Sequence, residues 1–275
     1  MTTQHRKAEL LHSLHRPGTP LVLANVWDAA GARLVAGAGA PAIATASASV
    51  SWTLGVPDGH RLDRARALAQ TALIAGAVDL PVTADLEHGF ADTADGVAET
   101  VTELLATGAV GVNLEDSWSG PGPLRPADDA AERIAAARRA ADTAGVRLFL
   151  NARTDVFLLG VGDPEGRLDA ALDRARAFVA AGADGIFVPG VTDPETVATL
   201  ARELPVPLNV MAGPGAPTVA EFGALGVARI SLGPGLAKVA YAAVRRAARE
   251  VYTDGGYQAL ADGLGFDEMN ALFED

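Results

Sequence analysis

The chain has 275 residues, 49% of them hydrophobic and 20% charged, a globular composition with ample material for one large core. A formal net charge of −12 repels nucleic acid and anionic membrane surfaces, and the absence of cysteine excludes disulfides, thiolate metal sites and a cysteine nucleophile. No apolar run approaches the roughly 20 residues that span a bilayer, and the opening segment, with His5, Arg6, Lys7, His12, His15 and Arg16, lacks the apolar core of a secretory signal. A cytoplasmic enzyme or small-molecule binder is the expectation.

Apolar runs bounded by turn residues recur along the chain. Strands are predicted over Leu21–Val26, Ala42–Ser47, Val82–Glu87, Gly111–Asp116, Leu148–Arg153, Gly185–Gly190, Pro207–Ala212 and Arg229–Gly233. Near-continuous apolar strands point to a parallel sheet covered on its faces, and the alanine-rich helical stretches between them point to βαβ units. Four helices end on a repeated signature, Val35-Ala-Gly-Ala-Gly-Ala40, Leu105-Ala-Thr-Gly-Ala-Val110, Val179-Ala-Ala-Gly-Ala-Asp184 and Gly223-Ala-Leu-Gly-Val227. Glycine there accepts the left-handed conformation of a helix C-terminus without steric cost. Eight such units predict a (β/α)8 TIM-type barrel, since an open sheet would more often carry GxGxxG after its first strand and Leu21–Ala30 has none. Beyond the eighth strand, Pro234–Tyr252 reads as a long helix and Gln258–Phe273 as further helical segments. The chain is therefore expected to be one barrel domain over 1–275, with 252–275 a C-terminal helical extension. That extension would cap the barrel or join copies into a homo-oligomer, a dimer or tetramer.

Catalytic groups of such barrels sit at the C-terminal ends of the strands. Here those ends offer Ser47, Asp85, Glu87, Glu115, Asp116, Arg153, Asp155, Asn209 and Ser231. Asp85 and Glu87 lie two apart on one predicted strand, so both side chains can point the same way. Two such carboxylates repel unless a cation or proton intervenes, and Glu115 on the next strand adds a third. Three carboxylates without cysteine or histidine at the strand tips favour a hard ion, with Mg²⁺ the best fit and Mn²⁺ suited to the same ligands. The alternative is that these carboxylates cap helices or pair with arginines. Arg153, ending an apolar strand, needs a carboxylate or an anionic ligand to be buried there. His88 reads as a proton shuttle or as a loop histidine. The small residues of Thr45–Ser49 let backbone N–H groups approach a carboxylate, or form a plain tight turn. Gly213-Pro-Gly215 and Gly233-Pro-Gly235 keep a phosphate-ester enzyme open, although their prolines remove donors.

These segments resemble the isocitrate lyase/phosphoenolpyruvate mutase superfamily over about Leu21 to Ala240. The matching stretches, in order, are Ser49–Asp58 (SVSWTLGVPD), Ala84–Phe90 (ADLEHGF), Gly111–Asp116 (GVNLED), Asn151–Asp155 (NARTD) and Leu208–Met211 (LNVM). The resemblance implies Asp85 and Glu87 at Mg²⁺, directly or through water, with Glu115 beside them and Asp58 as an outer acidic group. It also implies Arg153 on the substrate's anionic oxygens, backbone amides of Ser47 and Ala48 on the carboxylate of a 2-oxo-acid, and Asn209 at the substrate. The family's mechanism passes through an enolate of the pyruvate type, better stabilised by metal and amides than the ketone is.

Glu87 departs from the family's usual aspartate, and the loop from Ser117 to Pro126 (SWSGPGPLRP) lacks the cysteine of the isocitrate and methylisocitrate lyases and the lysine of the mutases. Arg125 is the one cation of that loop and the candidate gate residue. The expectation is a Mg²⁺-dependent lyase that cleaves or decarboxylates a 2-oxo- or 2-hydroxy-acid. The alternatives are a C–P mutase or hydrolase of phosphonopyruvate type, and a barrel that binds a small acid without turning it over.

Overall fold

The structure, a computed structural model that describes residues 3–118 and 122–274, begins with a helix outside the predicted elements. This helix, α1 (Thr3–Leu14), buries Ala8 and Leu11 completely. β1 (Leu21–Leu23), α2 (Ala29–Gly37), β2 (Ile43–Ala44), α3 (Ser47–Thr53) and α4 (Arg64–Gly76) follow, then β3 (Val82–Asp85) and α5 (Ala94–Ala106). Next come β4 (Gly111–Glu115), α6 (Ala127–Thr143), β5 (Phe149–Arg153), α7 (Arg167–Ala180) and β6 (Gly185–Val188). The chain ends with α8 (Pro194–Glu203), β7 (Leu208–Met211), α9 (Val219–Ala224), β8 (Arg229–Ser231), α10 (Gly235–Thr253) and α11 (Phe266–Ala271).

All strand pairs are parallel, in the order β1-β8-β7-β6-β5-β4-β3-β2. An isolated parallel bridge between Val26 and Thr45, with Val26 N–H donating to Ala44 O at 2.8 Å, brings the two end strands together. The result is the expected (β/α)8 barrel with extra C-terminal helices. Each strand lies inside its predicted run, and all but β5, which ends at Arg153 as expected, stop short of the run's C-terminal end, because the last residues turn outward into the loops of the mouth. Gly108 and Gly182, in the repeated helix-end signature, have φ of 92° and 103°, the left-handed conformation expected of them.

The alternation of side chains splits the strands into two kinds of surface. Val112, Leu114, Leu150, Ile186, Val188, Val210 and Ile230 face the helices and form the main apolar core. The other set fills the barrel with polar groups. Asn151 donates to Asn113 Oδ1 at 2.9 Å, and Arg229, from the opposite wall, donates to the same oxygen at 3.3 Å. Asn209 and Ser231 pair across β7 and β8 at 3.2 Å. α1 closes the floor of the barrel. A Cβ at Gly111 would come within 2.7 Å of Leu11, and His15 stacks on Phe149 with centroids 3.7 Å apart.

At the other end of the chain, α10 touches the barrel rim through Tyr241, whose hydroxyl lies 3.1 Å from Thr53 Oγ1. Val239, Val244, Tyr252 and Phe266 of the tail are 65% or more exposed. Among the described residues no helix is long and apolar enough to cross a membrane.

Candidate active site and metal centre

β3, β4 and β5 are adjacent, and their registers bring Asp85 opposite Asn113 and Glu115 opposite Arg153. Their last residues therefore open on one mouth. Asp85 Oδ2 accepts from the Ser47 amide at 3.2 Å and the Ser47 hydroxyl at 3.0 Å, while its Oδ1 is buried without a partner among the described residues. Ser47 was expected to end a strand. It is instead the first residue of α3, because the chain turns at Ala46, and its amide serves Asp85. Ala48, the second expected amide, is buried in the first turn of the same helix.

Glu87 was expected to share a strand face with Asp85. β3 ends at Asp85, and Glu87 has a left-handed φ of 51°. That backbone reversal, and not strand alternation, turns its carboxylate into the mouth. There Oε2 accepts from the His60 amide at 2.7 Å, and Oε1 is buried without a donor among the described residues. His60 (φ 65°) and Phe90 (φ 50°) are the other non-glycine residues with positive φ among those described. Such conformations cost about 1–3 kcal/mol each and collect at functional sites.

Glu115 is clamped on both oxygens. Oε1 receives the Ser117 hydroxyl and lies 3.2 Å from His60 Nε2, and Oε2 meets Arg153 Nη1 at 2.9 Å. Arg153 in turn donates Nε and Nη2 to Asp155 at 2.6 and 3.0 Å. A guanidinium carries five N–H donors; these bonds occupy three of them and leave two without a bond among the described residues. Asp116, the second acid of the Glu-Asp pair, faces away from the mouth. It is a brace, accepting from the Asp155 amide at 2.9 Å and from Arg174 at 3.2 Å.

Asp58 stands exposed at the rim, within electrostatic reach of Glu115, Arg153 and His60. Asn209 is buried against Ser231. His88 stacks on His60, centroids 4.1 Å apart, with Nδ1 buried and unpartnered. Arg125, the candidate gate, is buried; its guanidinium meets Asp129 at 3.0 Å and covers the Trp118 ring at 4.6 Å, so it braces the loop base. Ser119, Gly120 and Pro121 of that loop lie outside the described residues. After β8, the amides of Leu232 and Gly233 both donate to Asn25 Oδ1, at 2.9 and 3.0 Å, which removes them as phosphate donors.

Burial pushes Asp85 above the usual carboxylate range, and Glu115 adds to the rise against the pull of Arg153. Burial likewise takes Glu87 up to about 7, with Asp85 and Glu115 contributing. Glu115 behaves oppositely, because Arg153, His60 and Ser117 outweigh its burial and hold it at about 2. Arg153 is raised above its ordinary value, Glu115 and Asp155 overcoming the cost of burial. The bond to Glu115 raises His60, whereas burial lowers His88 to about 4.

Two buried carboxylate oxygens without donors, on groups whose negative charge is destabilised, are what a divalent cation relieves. Asp85 and Glu87 fit such an ion through oxygen donors. Glu115, with both oxygens on protein donors, is secondary to them. His60 is the residue that sequence reasoning missed. It sits two positions beyond Asp58 in a Pro-Asp-Gly turn, and its only local signal was that turn.

A family model described as phosphoenolpyruvate phosphomutase matches residues 11–252. The 2-methylisocitrate lyase of Escherichia coli K12 is 31% identical over 77% of this chain and 73% of its own length. A solved structure of a candidate phosphonomutase from Burkholderia cenocepacia J2315 is 49% identical, with a TM-score of 0.86, over 89% of this chain and 99% of that one. A phosphonopyruvate hydrolase solved with oxalate and Mg²⁺ is 26% identical, with a TM-score of 0.85, over 99% and 95% of the two chains.

Proposed function

The chain belongs to the phosphoenolpyruvate phosphomutase family, and from that premise we propose that it is a Mg²⁺-dependent lyase. It would break the C–C bond beside the 2-oxo or 2-hydroxy group of a small carboxylic acid. The observation that carries this reading is the pairing of opposite needs at one mouth. Arg153 keeps two N–H donors beyond its bonds to Glu115 and Asp155, beside two buried carboxylate oxygens that have no donor.

Asp85 and Glu87 would hold the ion, which supplies Lewis-acid stabilisation to negative charge growing on the 2-oxo oxygen. Arg153 would bind the substrate carboxylate without changing its own protonation. Glu115 and Asp155 fix the plane of the guanidinium, so the anion is met in one orientation and little freedom is lost at the reactive step. Asp58, exposed at the rim, would face the hydroxyl or the leaving group, with the Ser47–Ala48 turn and Asn209 as the further substrate-facing positions. The 31% identity to a 2-methylisocitrate lyase supports C–C cleavage. A second reading, C–P chemistry on a phosphonopyruvate-type acid, draws on the 49% identity to a candidate phosphonomutase.

The test is release of pyruvate from oxaloacetate, 2-methylmalates and phosphonopyruvate, with Mg²⁺ and after chelation. Mg²⁺-dependent release from one of the carbon acids is expected. Phosphate release from phosphonopyruvate alone would move the protein to the second reading. No turnover on any acid, together with no Mg²⁺ binding, would leave an acid-binding barrel.

A further inference from the structure

We propose that His60, Glu87 and His88 form a second cation position, beside the oxygen-only one and sharing Glu87 with it, that takes a divalent transition ion such as Co²⁺, Mn²⁺ or Zn²⁺ in preference to Mg²⁺. The proposal rests on the metal-dependent reading of this mouth only in placing Glu87 between the two positions.

One ligand atom from each of the three residues lies within 4.8 Å of the others. A tetrahedral ion with ligands at about 2.0–2.1 Å sets them roughly 3.4 Å apart, so the trio needs to close by up to about 1.4 Å. The two loops that carry it are already committed to the approach. His60 and Glu87 both adopt left-handed backbone, and the His60 amide is bonded to the Glu87 carboxylate at 2.7 Å. The His60 and His88 rings stack 4.1 Å apart with an interplanar angle of 12°, which keeps the two imidazoles side by side.

Packing alone explains stacked rings, but it does not explain the orphaned atoms. Glu87 is 2% exposed, yet among the described residues its Oε1 has no donor, and His88 Nδ1 is also buried without a partner there. Leaving a buried polar atom unpaired costs about 1–3 kcal/mol, and here two such atoms belong to the same trio. A cation here gives His88 Nδ1 its partner and shares Glu87 Oε1 with the oxygen-only position. His60 Nε2 lies 3.2 Å from Glu115 Oε1, the arrangement by which carboxylates orient metal-binding imidazoles. Two imidazoles and one carboxylate favour a first-row transition ion over Mg²⁺, which prefers oxygen and water.

The test is made on the full chain, freed of metal and then saturated with Mg²⁺. Co²⁺ is titrated by calorimetry and visible absorption, and Mn²⁺ is added for pulsed electron paramagnetic resonance. One equivalent of Co²⁺ is expected to bind with Mg²⁺ present, and bound Mn²⁺ is expected to show ¹⁴N couplings from imidazole. His88→Phe keeps the stacked ring and removes the nitrogens; it should weaken Co²⁺ at least tenfold and leave Mg²⁺ affinity within about twofold. Displacement of Co²⁺ by Mg²⁺ one for one, absence of ¹⁴N coupling, or unchanged Co²⁺ affinity in His88→Phe would each overturn the proposal. If that variant does not fold, the ¹⁴N coupling of the native chain decides. Failure of every acid to turn over tests the lyase reading and leaves these binding results standing.

Discussion

The mouth and the floor of the barrel both bury ionisable groups, and burial has different consequences in the two places. At the floor no ion pair or hydrogen bond joins a carboxylate to His15 or Arg229 among the described residues, and only the field of Asp85 reaches Arg229. Burial, with Arg229 nearby, lowers His15 to about 3, and burial lowers Arg229 to about 9 against the attraction of Asp85. At the mouth, Glu115 and Arg153 hold each other charged, while Glu87 and Asp155 are each pushed up to about 7, chiefly by burial. Desolvation works at both ends, and the presence of an opposite charge decides whether a group keeps its own. The mouth is therefore a store of negative charge with too few positive partners, and the floor is not.

The harshest way to break this contrast is Arg153→Leu, which leaves Glu115 and Asp155 buried without their cation. Removing one partner of a buried pair costs about 3–5 kcal/mol. Urea unfolding at pH 7 should show a loss of that order and an assay no turnover; a loss below about 1 kcal/mol would mean the clamp is not formed.

Asp85→Asn keeps an acceptor for Ser47 and removes one charge. Mg²⁺ affinity, read by calorimetry, should fall by more than the roughly 10–100-fold that altering a ligand's supporting partner costs. The metal-free variant should melt at a higher temperature than the native chain, since carboxylate repulsion is relieved. Unchanged Mg²⁺ affinity would remove Asp85 from the ligand set.

Stability should depend on pH with opposite signs at the two ends. Glu87 has a folded pKa of about 7 against 4.5 unfolded, so the folded state binds the extra proton. Its stabilisation is complete below 4.5 and is lost as pH rises through 7, by up to about 1.4 kcal/mol per pH unit. The stability difference between the metal-free native chain and Glu87→Gln should follow that fall, and saturating Mg²⁺ should abolish it. A difference that stays flat from pH 4.5 to 8 would contradict the assignment.

The smallest effect belongs to the floor. His15 has a folded pKa of about 3 against 6.5 unfolded, so its contribution is present above 6.5 and is lost as pH falls toward 3. At pH 7, His15→Gln should cost only about 1 kcal/mol, the stacking on Phe149, and should leave Mg²⁺ affinity untouched. In acid the variant should lose less stability than the native chain. A change in Mg²⁺ affinity would mean that floor and mouth are coupled through Arg229.

Asp85, Glu115 and Arg153 were legible because each ends an apolar strand, and a closed parallel barrel gathers strand ends at one mouth whatever the loops do. Glu87 was legible as an acid in the mouth but not in its manner of reaching it, since a left-handed residue after a strand has no pattern of its own. His60 was not legible. Its value lies in bonds to residues 27 and 55 positions away, and those contacts exist only once the barrel has closed. The floor helix α1 escaped for a similar reason, because its buried face is only Ala8 and Leu11.

The sequence by itself determined the eight alternating units, the left-handed glycines at the helix ends and the side of the barrel on which the acids collect. These follow from local propensity and from periods of two and 3.6 residues, which short windows carry. The tertiary structure alone decided the partners. It gave Ser47's amide to Asp85, Arg153 to Glu115 and Asp155, and Asp116 to Arg174, and it left Asp85 Oδ1, Glu87 Oε1 and His88 Nδ1 without partners. Hydrogen bonds and ion pairs act over a few ångströms between loops far apart in the chain, so only the closed barrel selects which of the possible pairs form.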